Sequence, residues 1–299
     1  MLAVPGLLFA SSLLQAAVLP ATKPASIHPA VAQAAVAQAP DLPLPIGKPE
    51  VKSGSALVID ESNSSILYSR NADVALPIAS ITKLMTALVV LEGKQPLDEL
   101  IEITKDDRDR QKGSGSRLTV GTKLSRGDLL HLALMSSENR AAHAVGRNYP
   151  GGLKALLRAM NAKAKALGMT RAHFVDPTGL SSGNVASPAD LSRLVIAAAN
   201  HPTIREYSTN RHFAVAVGKR MLEFRNTNTL VSNPDWDIVV QKTGYINEAG
   251  RCLVMQTIIE DRPVVIILLN SFGKYTRVAD ARRIRRWMET RHLSASRSQ

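Results

Sequence analysis

The first hydrophobic runs of the chain predict a pair of strands. Ala56–Ile59 and Ile66–Tyr68 are apolar, and the polar residues Asp60–Asn63 separate them. Two short β-prone runs around a polar turn are typical of a hairpin. We therefore expect two antiparallel strands at the edge of a sheet.

After Pro77 the apolar positions change to helical spacing. They recur at i, i+3, i+4 and i+7, which places them on one buried face of a helix that ends near Gly93. These positions are Leu84, Ala87, Leu88 and Leu91. The pattern puts Ser80 at the start of this helix.

Start and stop signals predict that the middle of the chain is mostly helical. Ser125 and Asp128 have the spacing of a capping box ahead of the apolar helix Leu129–Met135. Another helix, rich in Ala, Leu and Lys, is closed by Gly168. A third begins at Ser187, which is followed by a first-turn proline and an acidic residue.

From Trp236 onward the hydrophobic pattern becomes strand-like. The apolar runs are Ile238–Val240, Leu253–Ile259 and Val264–Leu269, and Glu260–Pro263 forms a polar turn between the last two. These runs predict three antiparallel strands.

A basic amphipathic helix is predicted over Val278–Arg291. Its apolar side chains and its arginines fall on opposite sides, and packing over the sheet is favoured over binding to a membrane. The order of elements is a strand pair, several helices, three strands and a helix. This order predicts an α+β domain whose sheet joins both ends of the chain.

The N-terminal segment has the character of an export signal. Leu2–Leu19 is apolar, and small residues near Ala21 and at Ala32–Ala34 offer cleavage positions, so residues 1–21 are predicted to be a signal peptide. No Lys or Arg precedes the apolar run, which leaves an uncleaved anchor or an upstream start as alternatives. The marginal length disfavours a membrane-spanning helix.

The rest of the chain is predicted to form one folded domain with disordered ends. Residues 22–52 are rich in Ala, Pro and Gln without helical or strand periodicity, so we expect a flexible linker. The domain is expected to span residues 53–292. Residues 293–299 are expected to form a disordered tail.

The basic composition of the chain is compatible with an anionic partner. The formal net charge of the 299 residues is +12, which suits nucleic acid, an acidic membrane or an anionic polymer such as a cell wall. Nucleic acid is disfavoured because only 4% of the residues are aromatic and no zinc-finger or aromatic RNA-binding string occurs. A solvated basic surface is the simplest interpretation.

Cysteine and histidine usage excludes several kinds of site. Cys252 is the only cysteine, so no intramolecular disulfide, zinc cluster or dithiol pair can form. Its position in an apolar run indicates a buried structural thiol. The histidines include no His-x-x-x-His or His-x-His pair, which disfavours a metal-dependent hydrolase, and no cofactor is expected.

Three short strings along the chain carry candidate chemistry. They are Ser80–Lys83, Ser137–Asn139 and Lys242–Gly244, in that order. Each string alone is a weak signal, and a second Ser-x-Asn occurs at Ser182–Asn184. That second copy follows a turn-rich stretch and is interpreted as structural. The functional interpretation therefore depends on the order and local context of the three strings.

The first string can supply a nucleophile and its base. Ser80 and Lys83 are three residues apart at a helix start, so both side chains emerge on one face. A lysine base must be neutral, which requires lowering a pKa of ~10.4 by about three units at a cost of about 4 kcal/mol. We expect like-charge repulsion from Lys242 to supply this shift, with burial adding to it.

The second string needs a break in the chain geometry. Ser137 and Asn139 are two residues apart, so on a helix they would point in different directions. They can converge only if the chain leaves helical geometry after Met135. In that case the Ser137 hydroxyl can relay a proton to a leaving amine, and the Asn139 amide can hold a peptide carbonyl.

The third string follows a strand-like run, and a strand backbone can pair with an extended peptide. Thr243 can bind a terminal carboxylate, and Gly244 leaves room for a close approach. The backbone N–H groups of Tyr245 and Ser80 can together form an oxyanion hole. Lys242 completes the string and can repel the charge of Lys83 if the fold brings the two lysines close.

Together these strings resemble the active-site signature of penicillin-interacting serine acyltransferases. From about residue 53 to residue 290 the chain resembles a low-molecular-mass penicillin-binding protein, a serine D-Ala-D-Ala peptidase of the endopeptidase type. The stretches that carry the resemblance are Pro77–Thr86, Leu134–Ala142, Asp176–Leu180, Lys242–Tyr245 and Glu248–Gly250. The resemblance implies a β-lactamase/transpeptidase-like α+β fold, in which an antiparallel five-stranded sheet is flanked by helices and accompanied by a helical subdomain.

The resemblance also implies an activity and its partners. It implies hydrolysis of D-alanyl peptide cross-links in peptidoglycan through an acyl-enzyme on Ser80, with Lys83 as general base and Ser137 as proton relay. β-Lactam antibiotics would form a slowly released adduct on the same serine. Arg277 resembles the family's substrate-carboxylate arginine, with a surface role as the alternative.

Other activities remain open to different degrees. The carboxypeptidase branch of the family usually carries a further β-rich domain and a C-terminal amphipathic anchor, whereas this chain stops soon after its last helix, so we expect a soluble periplasmic endopeptidase. A carboxypeptidase that removes terminal D-Ala is the nearer alternative. A β-lactamase is disfavoured because no equivalent of its deacylating glutamate is evident. Intact Ser80 and Lys83 argue against a wall-binding or drug-sensing module without turnover.

Overall fold

The computed structural model describes residues 47–296, with side chains to residue 290. The predicted signal peptide, residues 1–21, lies outside the described residues, as does most of the predicted linker. The strands are β1 (Ser55–Asp60), β2 (Ser65–Arg70), β3 (Leu76–Pro77), β4 (Leu100–Glu102), β5 (Lys123–Ser125), β6 (Val185–Ala186), β7 (His212–Val217), β8 (Arg220–Arg225), β9 (Asp237–Ile246), β10 (Gly250–Ile259) and β11 (Arg262–Ser271). The helices are α1 (Thr82–Glu92), α2 (Arg126–Met135), α3 (Asn139–Arg147), α4 (Gly152–Ala166), α5 (Pro188–Ala199), α6 (Pro202–Thr209) and α7 (Thr276–Ser296).

The central sheet has five antiparallel strands in the order β2-β1-β11-β10-β9. Ser55 of β1 lies opposite Leu269 of β11, so the first and last strands of the domain are neighbours. The β10–β11 hairpin turns through Glu260 and Asp261, whose φ angles are 49° and 58°. Positive φ at both positions matches the twist of the flanking strands. The predicted five-stranded sheet that joins both ends of the chain is confirmed.

Both faces of this sheet are covered, which explains the continuous apolar run of β11. One set of its side chains packs with α7: Val264, Ile266 and Leu268. The alternate set joins the larger core formed with the other helices: Val265, Ile267 and Leu269. The sheet is therefore the middle layer of three. The first two candidate strings lie on the side away from α7, and the third lies in the sheet on β9.

The C-terminal helix packs over the sheet, as predicted. The buried side chains on its inner face are Ala281, Ile284, Trp287 and Met288. The helix begins two residues before the predicted Val278 and continues to Ser296, which is within the predicted tail, residues 293–299. It extends this far because no glycine or proline interrupts residues 276–296.

The last residues of the predicted linker belong to the folded domain. Val51 is buried in the core under α7, and the backbone N–H of Ser53 donates to the Asp280 carboxylate at 2.7 Å. The Lys52 N–H donates to the same carboxylate at 3.0 Å. These contacts order the chain before β1.

The predicted helix caps are present, but several elements were not predicted. Ser125 accepts from the Asp128 N–H at 3.0 Å at the start of α2, and Ser187 and Asp190 form a reciprocal capping box at α5. The elements that were not predicted are helices α3 and α6, the β7–β8 hairpin and the short strands β3, β4, β5 and β6. Strand β8 carries three charged residues among six, which conceals its β pattern.

In the part of the chain that the structure describes, none of the helices combines the length and the apolar character needed to cross a membrane.

Candidate active site

Ser80 lies in a 3₁₀ turn, Ala79–Ile81, that leads directly into α1. Two glycines allow other segments to approach this turn. Gly179 has a φ of +81°, and a Cβ at this position would lie 1.9 Å from the Ala79 carbonyl oxygen. A Cβ at Gly244 of β9 would lie 3.2 Å from the Ser80 backbone nitrogen. The predicted close approach at Gly244 is therefore present, and it brings the third string against the first.

Lys83 is almost completely buried in the first turn of α1. Its Nζ lies 2.8 Å from Ser80 Oγ, 2.7 Å from Asn139 Oδ1 and 2.6 Å from the Thr178 carbonyl oxygen. The amide and carbonyl oxygens can only accept hydrogen bonds. A neutral amine that donates its two N–H groups to them has its lone pair left for the Ser80 hydroxyl. The contacts therefore suit proton transfer from serine to lysine.

Burial lowers the pKa of Lys83 to about 7, while the nearby carboxylates of Asp176 and Glu138 act in the opposite direction. Burial also lowers the pKa of Lys242 well below its usual value, and the charges of Lys83 and Arg277 lower it further. The prediction that repulsion from Lys242 is the main cause at Lys83 is thus wrong. Desolvation is the main cause at Lys83, and like-charge repulsion adds to the shift at Lys242.

A turn centred on Asp176 positions the carbonyl group that Lys83 contacts. Asp176 Oδ1 accepts from the backbone N–H groups of Thr178 at 2.6 Å and Gly179 at 2.7 Å. The side-chain amide of Asn184 donates to the Asp176 carbonyl at 3.0 Å and to Thr82 Oγ1 at 3.1 Å, which ties the turn to α1. Asn184 is completely buried. The asparagine of the second Ser-x-Asn copy is therefore structural, as predicted.

The second string lies where α2 gives way to α3. Ser137 has a φ of +63°, and Glu138 caps α3 through the Arg140 N–H. This is the break in helical geometry that the string requires. Asn139 begins α3, with its Oδ1 on the Lys83 amine and its Nδ2 donating to Ser114 Oγ at 2.9 Å.

The third string lies on β9, the edge strand of the sheet. Lys242 is fully buried, and its Nζ donates to the Thr243 carbonyl at 2.9 Å. Thr243 Oγ1 lies 2.6 Å from Thr227 Oγ1. The Tyr245 side chain is 52% exposed, with the Arg251 guanidinium 4.6 Å from its ring centroid. An edge strand leaves one row of backbone groups available for another strand.

Arg277 lies at the start of α7, and its side chain is partly buried. Its Nε and Nη1 atoms are buried without a hydrogen-bond partner among the described residues. Burial and then the charge of Arg251 lower its pKa. Because Arg277 also lowers the pKa of Lys242, the guanidinium and the third string are electrostatic neighbours. Unpaired buried donors are costly, so this arrangement suits an anionic ligand.

The functional contacts that sequence reasoning missed involve Thr178 and Ser114. Thr178 acts through its backbone carbonyl, which no residue type signals, although the surrounding Asp176–Leu180 stretch was part of the resemblance. Ser114 lies in a loop without periodicity. The predicted structural role of Cys252 fits its complete burial, which raises the pKa of its thiol to about 11. In residues 47–296 no three His, Cys, Asp or Glu side chains are grouped to hold a metal ion.

Comparison with known proteins relates this site to characterised relatives. The chain is 52% identical over 248 residues to a D-alanyl-D-alanine endopeptidase of Pseudomonas aeruginosa, which covers 82% of this chain and 80% of the relative. It is 48% identical to a protein of the same name from Escherichia coli (strain K12), with coverage of 81% and 79%.

A solved structure supports the fold. Penicillin-binding protein D2 from Listeria monocytogenes, in a cefotaxime-bound form, matches with a TM-score of 0.71 and 29% identity, over 82% of this chain and 98% of that one. The β-lactamase/transpeptidase-like fold is thus confirmed. Residues 43–273 match the family described as D-alanyl-D-alanine carboxypeptidase. The chain therefore belongs to the D-alanyl-D-alanine carboxypeptidase family of serine peptidases.

Proposed function

We propose that this protein is a serine D,D-endopeptidase that hydrolyses D-alanyl peptide cross-links in peptidoglycan. The observation that carries this proposal is the contact between the buried Lys83 Nζ and Ser80 Oγ at 2.8 Å. Because burial lowers the pKa of Lys83 to about 7, a substantial fraction of this lysine is neutral at neutral pH. It can therefore serve as a general base where an ordinary lysine cannot.

In the proposed acylation step, Ser80 Oγ attacks the carbonyl carbon of the D-alanyl bond while Lys83 takes the hydroxyl proton. The tetrahedral intermediate then breaks its C–N bond. The leaving amine receives a proton that passes from Lys83 through the Ser137 hydroxyl. The product is an ester on Ser80 and a free amine, and Lys83 is neutral again.

The same amine can serve the second half of the reaction. A water molecule attacks the ester carbonyl and gives a proton to Lys83, which returns it to Ser80 Oγ as the C–O bond breaks. The products are a free D-alanyl carboxyl group and the regenerated serine. A β-lactam would acylate Ser80 in the first step, but its leaving amine stays attached through the opened ring. That adduct would be released slowly.

Several groups are proposed to position the substrate. The exposed edge of β9 would pair with the extended stem peptide, and the N–H groups of Ser80 and Tyr245 would stabilise the oxyanion. The Asn139 Nδ2 has one N–H group beyond its bond to Ser114 for the peptide carbonyl. Thr243 would bind the carboxylate on the leaving side.

Positive charge completes the proposed substrate site. The unpaired guanidinium of Arg277 would bind the same carboxylate as the Thr243 hydroxyl. Lys242, an electrostatic neighbour of both Lys83 and Arg277, would line the same end of the site. The net charge of +12 suits an anionic cell-wall polymer in the same way. No nucleic acid, metal or other cofactor has a part in this scheme.

The endopeptidase assignment is favoured over a carboxypeptidase because the two relatives at 52% and 48% identity are both D-alanyl-D-alanine endopeptidases by name. A cell-wall substrate requires export, so we propose a periplasmic location with residues 1–21 as the signal peptide. The catalytic domain would span residues 53–292.

Digestion of purified muropeptides tests the proposed function. The protein would be incubated with a cross-linked dimer and with a monomeric pentapeptide, and the products weighed by mass spectrometry, with Ser80→Ala as the control. Conversion of dimers to monomers is the expected result. Loss of terminal D-Ala alone, with intact dimers, would make the protein a carboxypeptidase and contradict the proposal.

A further inference from the structure

A cleft of about 1030 Å³ opens beside the second string. It is lined by the loop Gly115–Arg117, by the β8 residues Met221–Arg225, and by Ser136 and Glu138. We call this space the β8 cleft. Ser137 lies between the last two lining residues in the chain, so the cleft adjoins the hydroxyl proposed to protonate the leaving amine.

The β8 cleft also adjoins the group proposed to bind the leaving-side carboxylate. Strand β8 ends at Arg225, and two residues later Thr227 Oγ1 lies 2.6 Å from Thr243 Oγ1. One wall of the cleft thus leads to Thr243, and residues on either side of Ser137 line it. A leaving group held by both would extend into the cleft.

The Arg117 guanidinium is held against an aromatic ring in this cleft, where it can bind an anion. Its guanidinium carbon lies 3.9 Å from the ring centroid of Phe224, which is almost completely buried. The loop is tied to α3 on both sides of Arg117. Asn139 Nδ2 donates to Ser114 Oγ at 2.9 Å, and Arg140 Nη1 donates to the Leu118 carbonyl at 2.6 Å.

The positive charge of Arg117 faces an aromatic ring rather than a carboxylate. Among the residues with described side chains, no carboxylate forms an ion pair with it. Arg225 adds a second positive charge to the lining, and Glu138 and Glu223 add negative charge. A cleft with both signs of charge and an immobilised guanidinium suits a polar peptide with free carboxylates.

We propose that the β8 cleft binds the second stem peptide of a cross-linked substrate, with Arg117 on one of its carboxylates. This inference rests on the proposed function, because that peptide is the leaving group only in an endopeptidase reaction. A terminal D-Ala is a single residue and does not reach the cleft. Arg117 is therefore a specificity-determining residue that favours cross-links over terminal D-Ala.

The test compares kcat/KM on a cross-linked dimer with kcat/KM on a monomeric pentapeptide for Arg117→Ala, Arg117→Lys and the wild type. We expect the dimer-to-pentapeptide ratio to fall about tenfold in Arg117→Ala through a higher KM for the dimer, the scale of one charge-assisted hydrogen bond. Arg117→Lys should restore part of the ratio. Arg220→Ala, which removes the same charge from β8 outside the cleft, should leave it unchanged.

The outcomes separate this inference from the proposed function. If the wild type cleaves no dimers, the proposed function fails and the inference fails with it. If the wild type cleaves dimers but Arg117→Ala leaves the ratio unchanged, only the inference is overturned. An equal loss on both substrates would also overturn it, because Arg117 would then be supporting the fold or the chemistry. Acylation by penicillin reports whether each variant is folded.

Discussion

The two ends of the candidate site differ in how completely their polar groups are satisfied. At the proton-transfer end (Ser80, Lys83, Asn139 and Thr178) the buried amine has three partners within 2.8 Å. At the anion-binding end (Lys242, Thr243 and Arg277) two guanidinium nitrogens are buried without a partner in the described residues.

This difference indicates what each end of the site requires from the substrate. The proton-transfer end is assembled before any ligand arrives, because proton transfer depends on a fixed short contact. The anion-binding end carries an electrostatic cost that a carboxylate would relieve. The first end should therefore control the rate of chemistry, and the second should control which molecules are bound.

The largest effect is expected at the nucleophile. Ser80→Ala should abolish the mass adduct formed with a penicillin, because it removes the hydroxyl that contacts the Lys83 amine. Intact-protein mass spectrometry measures the adduct, and circular dichroism checks the fold. Ser182→Ala, in the second Ser-x-Asn copy, is the matched control and should acylate normally. An undiminished adduct in Ser80→Ala would rule out this nucleophile.

Loss of the base should be the next largest effect. Lys83→Ala should lower the penicillin acylation rate by about 10²–10⁴-fold, whereas Lys94→Ala, an exposed lysine after α1, should not. In the wild type the rate should rise about tenfold per pH unit below pH 7 and level off above it. The sign follows because the neutral amine is the active form and the pKa of Lys83 is about 7.

Stopped-flow acylation between pH 5 and pH 9 would measure this profile. A rate independent of pH across this range, or a Lys83→Ala variant that acylates normally, would exclude lysine as the base.

A smaller and more selective effect is expected at the anion-binding end. Arg277→Ala should slow acylation by penicillin by about 10- to 100-fold, since the drug carries a carboxylate that a charge-assisted hydrogen bond would hold. Thioesters that lack this carboxylate should react at the wild-type rate. The control is Arg282→Ala, which removes an exposed arginine from the same helix. Equal losses on both substrates would assign Arg277 a structural role instead.

The smallest effect concerns the turn that supports the base. The Asp176 charge raises the pKa of Lys83, so Asp176→Asn should move the acidic limb of the acylation profile to lower pH. The amide keeps one acceptor oxygen for the Thr178 and Gly179 N–H groups, and a thermal melt checks that the turn survives. A limb that moves to higher pH would contradict this electrostatic role.

Sequence signals predicted the parts of the fold that neighbouring residues stabilise or that have a strong hydrophobic pattern. The cap at Ser187 and Asp190 is satisfied by neighbours within one turn, so its residues are visible in sequence. Most of β10 and β11 is apolar on both faces, which makes these strands long hydrophobic runs. Strand β8 has an exposed, charged face, so its pattern was hidden although it forms the wall of the β8 cleft.

The candidate site was predictable as a set of residues but not as an electrostatic arrangement. The three strings identify Ser80, Lys83, Asn139 and Lys242 as candidate site residues from the sequence alone. They do not show that desolvation lowers the pKa of Lys83 or that the Thr178 carbonyl is its third partner. The second fact depends on a loop that is distant in sequence, because Lys83 and Thr178 are 95 residues apart.

The sequence by itself determined the family, the order of elements and the side chains available for chemistry. These properties follow from residue type and from spacing along the chain, because the repeat of a helix or strand decides which residues share a face. Only the tertiary structure decided how deeply each lysine is buried, which acceptors meet its amine and which arginines lack a partner. Burial and hydrogen bonding arise from segments distant in sequence, and they decide which of the available side chains can act as base, relay or anion site.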